Sequence, residues 1–169
     1  MGTMKRALGI SVHTGWGACV LVGGTLANPE IVANEVIEIL PGPDRFCFHK
    51  AAEMKRAAAE RWIALAKTKA LANAKAALAP LLAQHADVCV IVAREGHAKD
   101  LDEVLASHPR IHTAEGYFYR DVLREACAIP VRIVPPRSLD PAKVGKLALV
   151  PWGKDQKLAA LAAWTVMTA

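Results

Sequence analysis

Residues 6–24 read RALGISVHTGWGACVLVGG, and the architecture of the chain turns on them. Two apolar runs, residues 7–12 and 18–22, flank the turn-rich His13-Thr14-Gly15-Trp16-Gly17. Short apolar runs bounded by glycine and polar residues predict buried strands, and a glycine-containing break between two of them predicts a tight hairpin. The rest of the chain reads as strands and helices added to this hairpin.

Outward from it, Gly23-Gly24 and Asn28-Pro29 mark a turn. Residues 30–40, EIVANEVIEIL, alternate from Val32 onward and are rich in β-branched side chains, which predicts a third strand ended by Pro41-Gly42-Pro43-Asp44. Residues 48–84 carry apolar side chains at Met54, Ala58, Trp62, Leu65, Leu71, Leu78 and Leu82, close to a helical period, with Pro80 expected to kink or interrupt the helix near its end. Residues 87–93, DVCVIVA, form a continuous β-branched run that suits a central strand buried on both faces. Residues 99–112 read as a short helix and loop, 113–128 as a helix, 129–134 as a strand closed by Pro135-Pro136, and 154 onward as a final helix. The order β-β-β-α-β-α-β-α implies an α/β fold. Its expected form is a single domain over residues 1–169, a mixed five-stranded sheet with helices on both faces.

The bulk properties narrow the classes. With 169 residues, 53% hydrophobic and 22% charged, the chain can bury one substantial core and is not disordered. A net charge of +5 permits a nucleic-acid or anionic partner without requiring one. Cys19, Cys47, Cys89 and Cys127 never form a C-x-x-C pair, so neither a zinc site nor a redox motif is expected from their spacing, and free thiols suit a reducing cytoplasm. The start of the chain has no signal-peptide pattern, and no apolar run approaches the roughly 18 residues of a membrane span. A cytoplasmic protein without membrane insertion is the expectation. The glycines at 15, 17, 23 and 24 are not followed by G-K-[ST], so they serve turns and not a phosphate-binding loop.

Several strings match one family pattern. Residues 8–17, LGISVHTGWG, resemble the opening strand and turn of RuvC-type Holliday junction resolvases, which run Gly-Ile-Asp-Pro-Gly and then Thr-Gly-Trp/Tyr-Gly. Ala128-Ile129-Pro130-Val131 with Pro135-Pro136-x-Ser138 resembles that family's fifth-strand segment, and Lys154-Asp155-Gln156 its Asp-Lys-x-Gln region. The resemblance implies a ribonuclease H-like fold. It also implies phosphodiester hydrolysis by two Mg²⁺ ions held by four acidic residues, a chemistry that needs clustered hard-oxygen ligands. Here the chain departs from the family. The first-strand aspartate falls on Ser11, the fourth-strand acid has only the displaced Glu95 as counterpart, and the last-helix acids fall near Ala159 and Ala160, with Asp155 about a turn earlier.

The candidate site therefore combines Ser11, Glu95 and Asp155 at the degenerate catalytic positions. Ser11 and His13 alternate on one strand and share a side. The implied topology makes the first and fourth strands neighbours, so His13, Glu95, His97 and Asp155 are the candidate ligands for one metal ion, Mg²⁺ or Mn²⁺. Arg132, Arg137, Lys143, Lys146, Lys154 and Lys157 make the C-terminal third basic and are candidate phosphate contacts, as are the cations of the long helix. Glu115-Gly116-Tyr117-Phe118-Tyr119 offers aromatic rings for base stacking or for packing. The expected function is a RuvC-like, nucleic-acid-associated domain that binds duplex or branched DNA through basic surface and is inactive as a two-metal nuclease. A protein-interaction or structural module, dimerising through the long Ala-rich helix, and a residual single-metal hydrolase are the alternatives.

Overall fold

Strand β1 (Ala7–His13) has two unlike faces. Leu8, Ile10 and Val12 point to one side of the sheet and join a core of large side chains. Ala7, Gly9 and Ser11 point to the other side, where a Cβ on Gly9 would collide with the Ala159 backbone. Period-two alternation of large and small residues therefore assigns a different helix layer to each face before any helix is placed. The computed structural model describes residues 5–140, 142, 143, 147 and 152–167.

β1 pairs antiparallel with β2 (Trp16–Gly24) through a two-residue turn, Thr14-Gly15, with His13 opposite Trp16. The strands are thus longer, and the turn shorter, than the apolar runs imply, because His13 and Trp16 are themselves ladder partners. Gly15 has φ +84°, and its carbonyl accepts the N–H groups of Ile39 (2.7 Å) and Leu40 (3.0 Å), which ties the hairpin tip to the exit of β3 (Pro29–Glu38). β4 (Val88–Val92) lies parallel to β1, and β5 (Val131–Val134) parallel to β4, giving the order β3-β2-β1-β4-β5.

Helices cover both faces of this mixed five-stranded sheet. On the large-residue face lie α1 (Cys47–Ala52), α2 (Arg56–Leu82) and α4 (His108–Ala126), with the short α3 (Leu101–Leu105) beside α4. On the small-residue face lies α5 (Lys154–Met167), whose consecutive residues Ala159 to Trp164 are all buried.

Three local expectations differ from the structure. The long helical stretch from residue 48 is two helices broken at residues 53–55, so that α1 folds back and its Cys47 carbonyl accepts the Trp62 indole N–H at 2.9 Å. Pro80 does not stop α2, which runs on to Leu82; His85 then takes φ +61° and turns the chain into β4. α4 begins at His108, five residues earlier than its amphipathic pattern indicates. Pro109 sits in its first turn, where a missing N–H costs nothing. No helix among the described residues is long and apolar enough to cross a membrane.

Candidate functional site

β1 and β4 run parallel and end side by side, with Ser11 in register with Val92. Beyond their carboxyl ends lies a cleft of about 510 Å³. Open α/β sheets commonly bind ligands at this edge, where the loops leaving the strands diverge. Val12, His13 and Thr14 form one wall, Val92, Ala93 and Arg94 the floor, and His112, Thr113, Gly116 and Tyr117 of α4 the other wall, with Pro136 closing one end.

Ser11, His13 and Asp155 come together as their strand and helix placement predicts. The Asp155 carboxylate accepts a hydrogen bond from the Ser11 hydroxyl at 3.2 Å and meets His13 Nε2 at 2.6 Å, both at the same oxygen, Oδ1. Ser11 is buried, whereas His13 is exposed. The His13 ring also lies flat on Trp16, centroids 4.4 Å apart and planes within 10°. In a serine-nucleophile relay the imidazole stands between the hydroxyl and the carboxylate. Here the carboxylate stands between the other two, so His13 is not placed to take a proton from Ser11.

Glu95 and His97 do not join this group. Both side chains are exposed, and among the described residues neither hydrogen-bonds to Ser11, His13 or Asp155. His97 lines a second hollow of about 290 Å³ that shares Thr113 and Tyr117 with the cleft. The turn that carries Glu95 is itself built by Arg120, a residue that no sequence motif marks. Arg120, 3% exposed, donates from Nη1 to the carbonyls of Arg94 (2.8 Å) and Gly96 (2.9 Å), and its guanidinium lies 4.7 Å from the Tyr117 ring centroid. Tyr117 in turn donates to the Glu95 carbonyl at 3.1 Å. Gly96 adopts φ +105°, and a Cβ there would come within 2.8 Å of the Tyr117 hydroxyl. This clamp holds Arg94 at the cleft. Nothing local in the sequence marks Arg120 as buried, since it sits among charged neighbours on α4.

The aromatic segment divides. Tyr117 faces the cleft, while Tyr119 is fully buried and donates to the Arg45 carbonyl at 2.6 Å. Of the basic candidates, Arg132, Arg137, Lys143, Lys154 and Lys157 are exposed, and among the described residues none forms an ion pair; Lys146 lies outside the described residues. Arg132 is in register with Val90 and so shares the face of the sheet that α5 covers. Four of the cations on α1 and α2 are in a different state. Lys50 and Lys69 pair with Asp44, Arg56 with Glu60 and Asp102, and Lys67 with Glu125.

A two-Mg²⁺ centre does not fit these residues. Two ions need several carboxylates around one point. The position on β4 beside Ser11 is the buried Val92, and Ala159 and Ala160 are packed against the sheet. Asp155 remains, with one oxygen already engaged by Ser11 and His13.

No protein-family model and no curated protein matches the chain. Among solved structures it is similar to the RuvC of Thermus thermophilus in complex with a Holliday junction substrate, at 15% identity and a TM-score of 0.54, over 95% of this chain and 91% of that one. A further structure of Thermus thermophilus RuvC matches at 14% identity and a TM-score of 0.53, over 95% and 92% of the two chains. The fold is that of the RuvC resolvases, a ribonuclease H-like α/β domain.

Proposed function

We propose that this protein is a RuvC-like DNA-binding domain, taking branched or duplex DNA through its basic surface without two-metal hydrolysis. One observation carries the reading: no Asp or Glu lines the carboxyl-end cleft, which presents Arg94, His13, His112, Tyr117 and two threonines. Cationic and hydrogen-bond-donating walls suit a phosphate, whereas a Mg²⁺ clamp needs the opposite sign. The shared fold supports the same reading, since the similar Thermus thermophilus chain is seen with a Holliday junction substrate. The cations Arg132, Arg137, Lys143, Lys154 and Lys157, which form no ion pair among the described residues, extend the positive surface. Their charge is available to phosphates, while much of that around α2 is spent on local carboxylates.

Titration of a fluorescent four-way junction and a duplex of equal length tests this directly. Saturable binding at low salt that weakens steeply as salt is added is the expected result, with no cleavage in Mg²⁺ or Mn²⁺. No binding at micromolar protein and low salt would overturn it. Mn²⁺-dependent cleavage that disappears in Glu95→Gln and in Asp155→Asn would replace it with a single-metal hydrolase.

The interaction-module alternative has less support. α2 carries the ion pair Arg56–Glu60 and is tied to α4 by Lys67–Glu125, and Leu65 is the large apolar side chain it exposes.

A further inference from the structure

Three histidines from two helices converge beside the cleft, at positions separate from the Ser11–His13–Asp155 group. His108 and His112 are four residues apart on α4, which puts both on one helical face, and their Nε2 atoms are 2.9 Å apart. His49 of α1 packs its ring edgewise against both, with centroids 4.6 Å from His112 and 5.1 Å from His108. One nitrogen from each ring lies within 4.8 Å of the others. Nitrogens sharing a tetrahedral cation at ~2.0–2.1 Å are ~3.3 Å apart. The three rings therefore stand close to a chelating arrangement.

The orientation of His49 is fixed from behind. Its Nδ1 meets Glu115 Oε1 at 2.9 Å, and that oxygen also accepts the backbone N–H groups of Phe48 (3.2 Å) and His49 (3.3 Å). Glu115 is 1% exposed. A buried carboxyl gripping one ring nitrogen leaves Nε2 as the nitrogen available to a ligand, and it also sets the tautomer. Ligating histidines are commonly held in this way by a carboxylate behind them. His108 and His112 are exposed, so burial in the core does not account for three imidazoles gathered here.

We propose that His49, His108 and His112 form a binding site for a late first-row divalent transition metal, Zn²⁺ in the first instance, with Glu115 as the positioning residue for His49. Imidazole nitrogens suit Zn²⁺, Ni²⁺ and Cu²⁺, while Mg²⁺ and Mn²⁺ favour oxygen donors. The site is thus chemically distinct from the Mg²⁺ centre of a resolvase. Three protein ligands leave a fourth position for water or an exogenous oxygen. His112 also lines the cleft, so a bound cation would stand at the cleft wall.

The test is titration of untagged full-length protein with Co²⁺, followed by visible absorption, and with Zn²⁺ by calorimetry. The expected result is saturation at a single site, with the intense visible bands of four-coordinate Co²⁺ and displacement of Co²⁺ by Zn²⁺. His108→Ala and His112→Ala, both at exposed positions, should each weaken Zn²⁺ by about tenfold or more, since even partners behind the ligands contribute that much. Glu115→Gln should weaken it by about 10- to 100-fold while leaving the Co²⁺ band positions near those of the wild type. Because Glu115 is buried, the two histidine variants decide the matter even if Glu115→Gln fails to fold. Zn²⁺ affinity unchanged in both histidine variants, or no Zn²⁺ binding by the wild type at micromolar metal, would overturn the proposal.

Discussion

Gly9 lies so close beneath Ala159 that a Cβ built on the glycine would sit 1.7 Å from the Ala159 carbonyl oxygen. The contact is backbone to backbone, so no side-chain rotation can relieve it. It fixes how closely α5 approaches β1, and therefore where Asp155, one turn earlier on α5, meets Ser11 and His13. Gly9→Ala should push α5 off the sheet. The expected cost is about 3 kcal/mol or more, at the upper end for an overpacked core, read from urea denaturation with intact wild type as reference. A near-neutral Gly9→Ala would mean that α5 docks less tightly than this contact implies.

Arg94 and Gly116 test the cleft as the anion-binding site. Arg94→Ala removes one cation from its floor and should lower the slope of log affinity against log salt for DNA by about 1. A Cβ on Gly116 would meet no atom within 4 Å, so Gly116→Leu starts its side chain in open space at the cleft wall. It should weaken binding while leaving the thermal midpoint nearly unchanged. Lys67→Ala on α2, whose charge is already paired with Glu125, should leave the slope as it is. Equal effects from Lys67 and Arg94 would show that contact is diffuse and not centred on the cleft.

Arg120→Met tests the clamp behind that cleft. The methionine keeps much of the buried stem but leaves the Arg94 and Gly96 carbonyls without their donor. Hydrogen bonds from a charged donor contribute roughly 1.5–3 kcal/mol, so a loss of about 2–3 kcal/mol is expected. Amide hydrogen exchange should quicken selectively over residues 94–97. Uniform acceleration across the domain would point to general destabilisation instead.

The four thiols differ in a way alkylation can read. Cys19, Cys47 and Cys89 are buried, and desolvation raises Cys19 and Cys47. A hydrogen bond between Cys89 and Cys127 raises Cys89 and holds the half-buried Cys127 below the ordinary thiol value. Thiolate is the reactive form. Peptide mapping after brief iodoacetamide treatment should find Cys127 modified first, and Cys127→Ala should remove the fast phase. Equal labelling of Cys89 would contradict this order.

Much of the fold was legible because it rests on local signals. The turn within residues 13–17, the apolar run of β1, the continuous apolar run of β4 and the proline-terminated β3 each announce themselves within a few residues. The misplaced boundaries have equally local causes. Ser107-His108-Pro109 reads as loop until proline is recognised as a first-turn residue, and moving that boundary is what puts His108 and His112 on one helix. The break at residues 53–55 has no strong sequence mark. It follows from α1 packing against α2 through the Trp62–Cys47 hydrogen bond.

The site was legible in part. Ser11 and His13 share a face by strand periodicity, and Asp155 opens a helix that the topology returns to that face. Which other residues join them depends on contacts between segments far apart in the chain; Ser11 and Asp155 are 144 positions apart. Glu95 stands apart because Arg120 and Tyr117 hold its turn by the backbone carbonyls and leave its side chain in solvent.

The chain's own pattern specified the strands, their order of appearance and the two unlike faces of β1, because hydrophobic periodicity and turn chemistry act over a few residues. Folding in three dimensions set the rest: the close seat of α5 on Gly9, the burial of Arg120 and Glu115, and the meeting of His49 with His108 and His112. Burying a charged or polar side chain is favourable only when distant partners arrive to satisfy it, and no local propensity records that arrival.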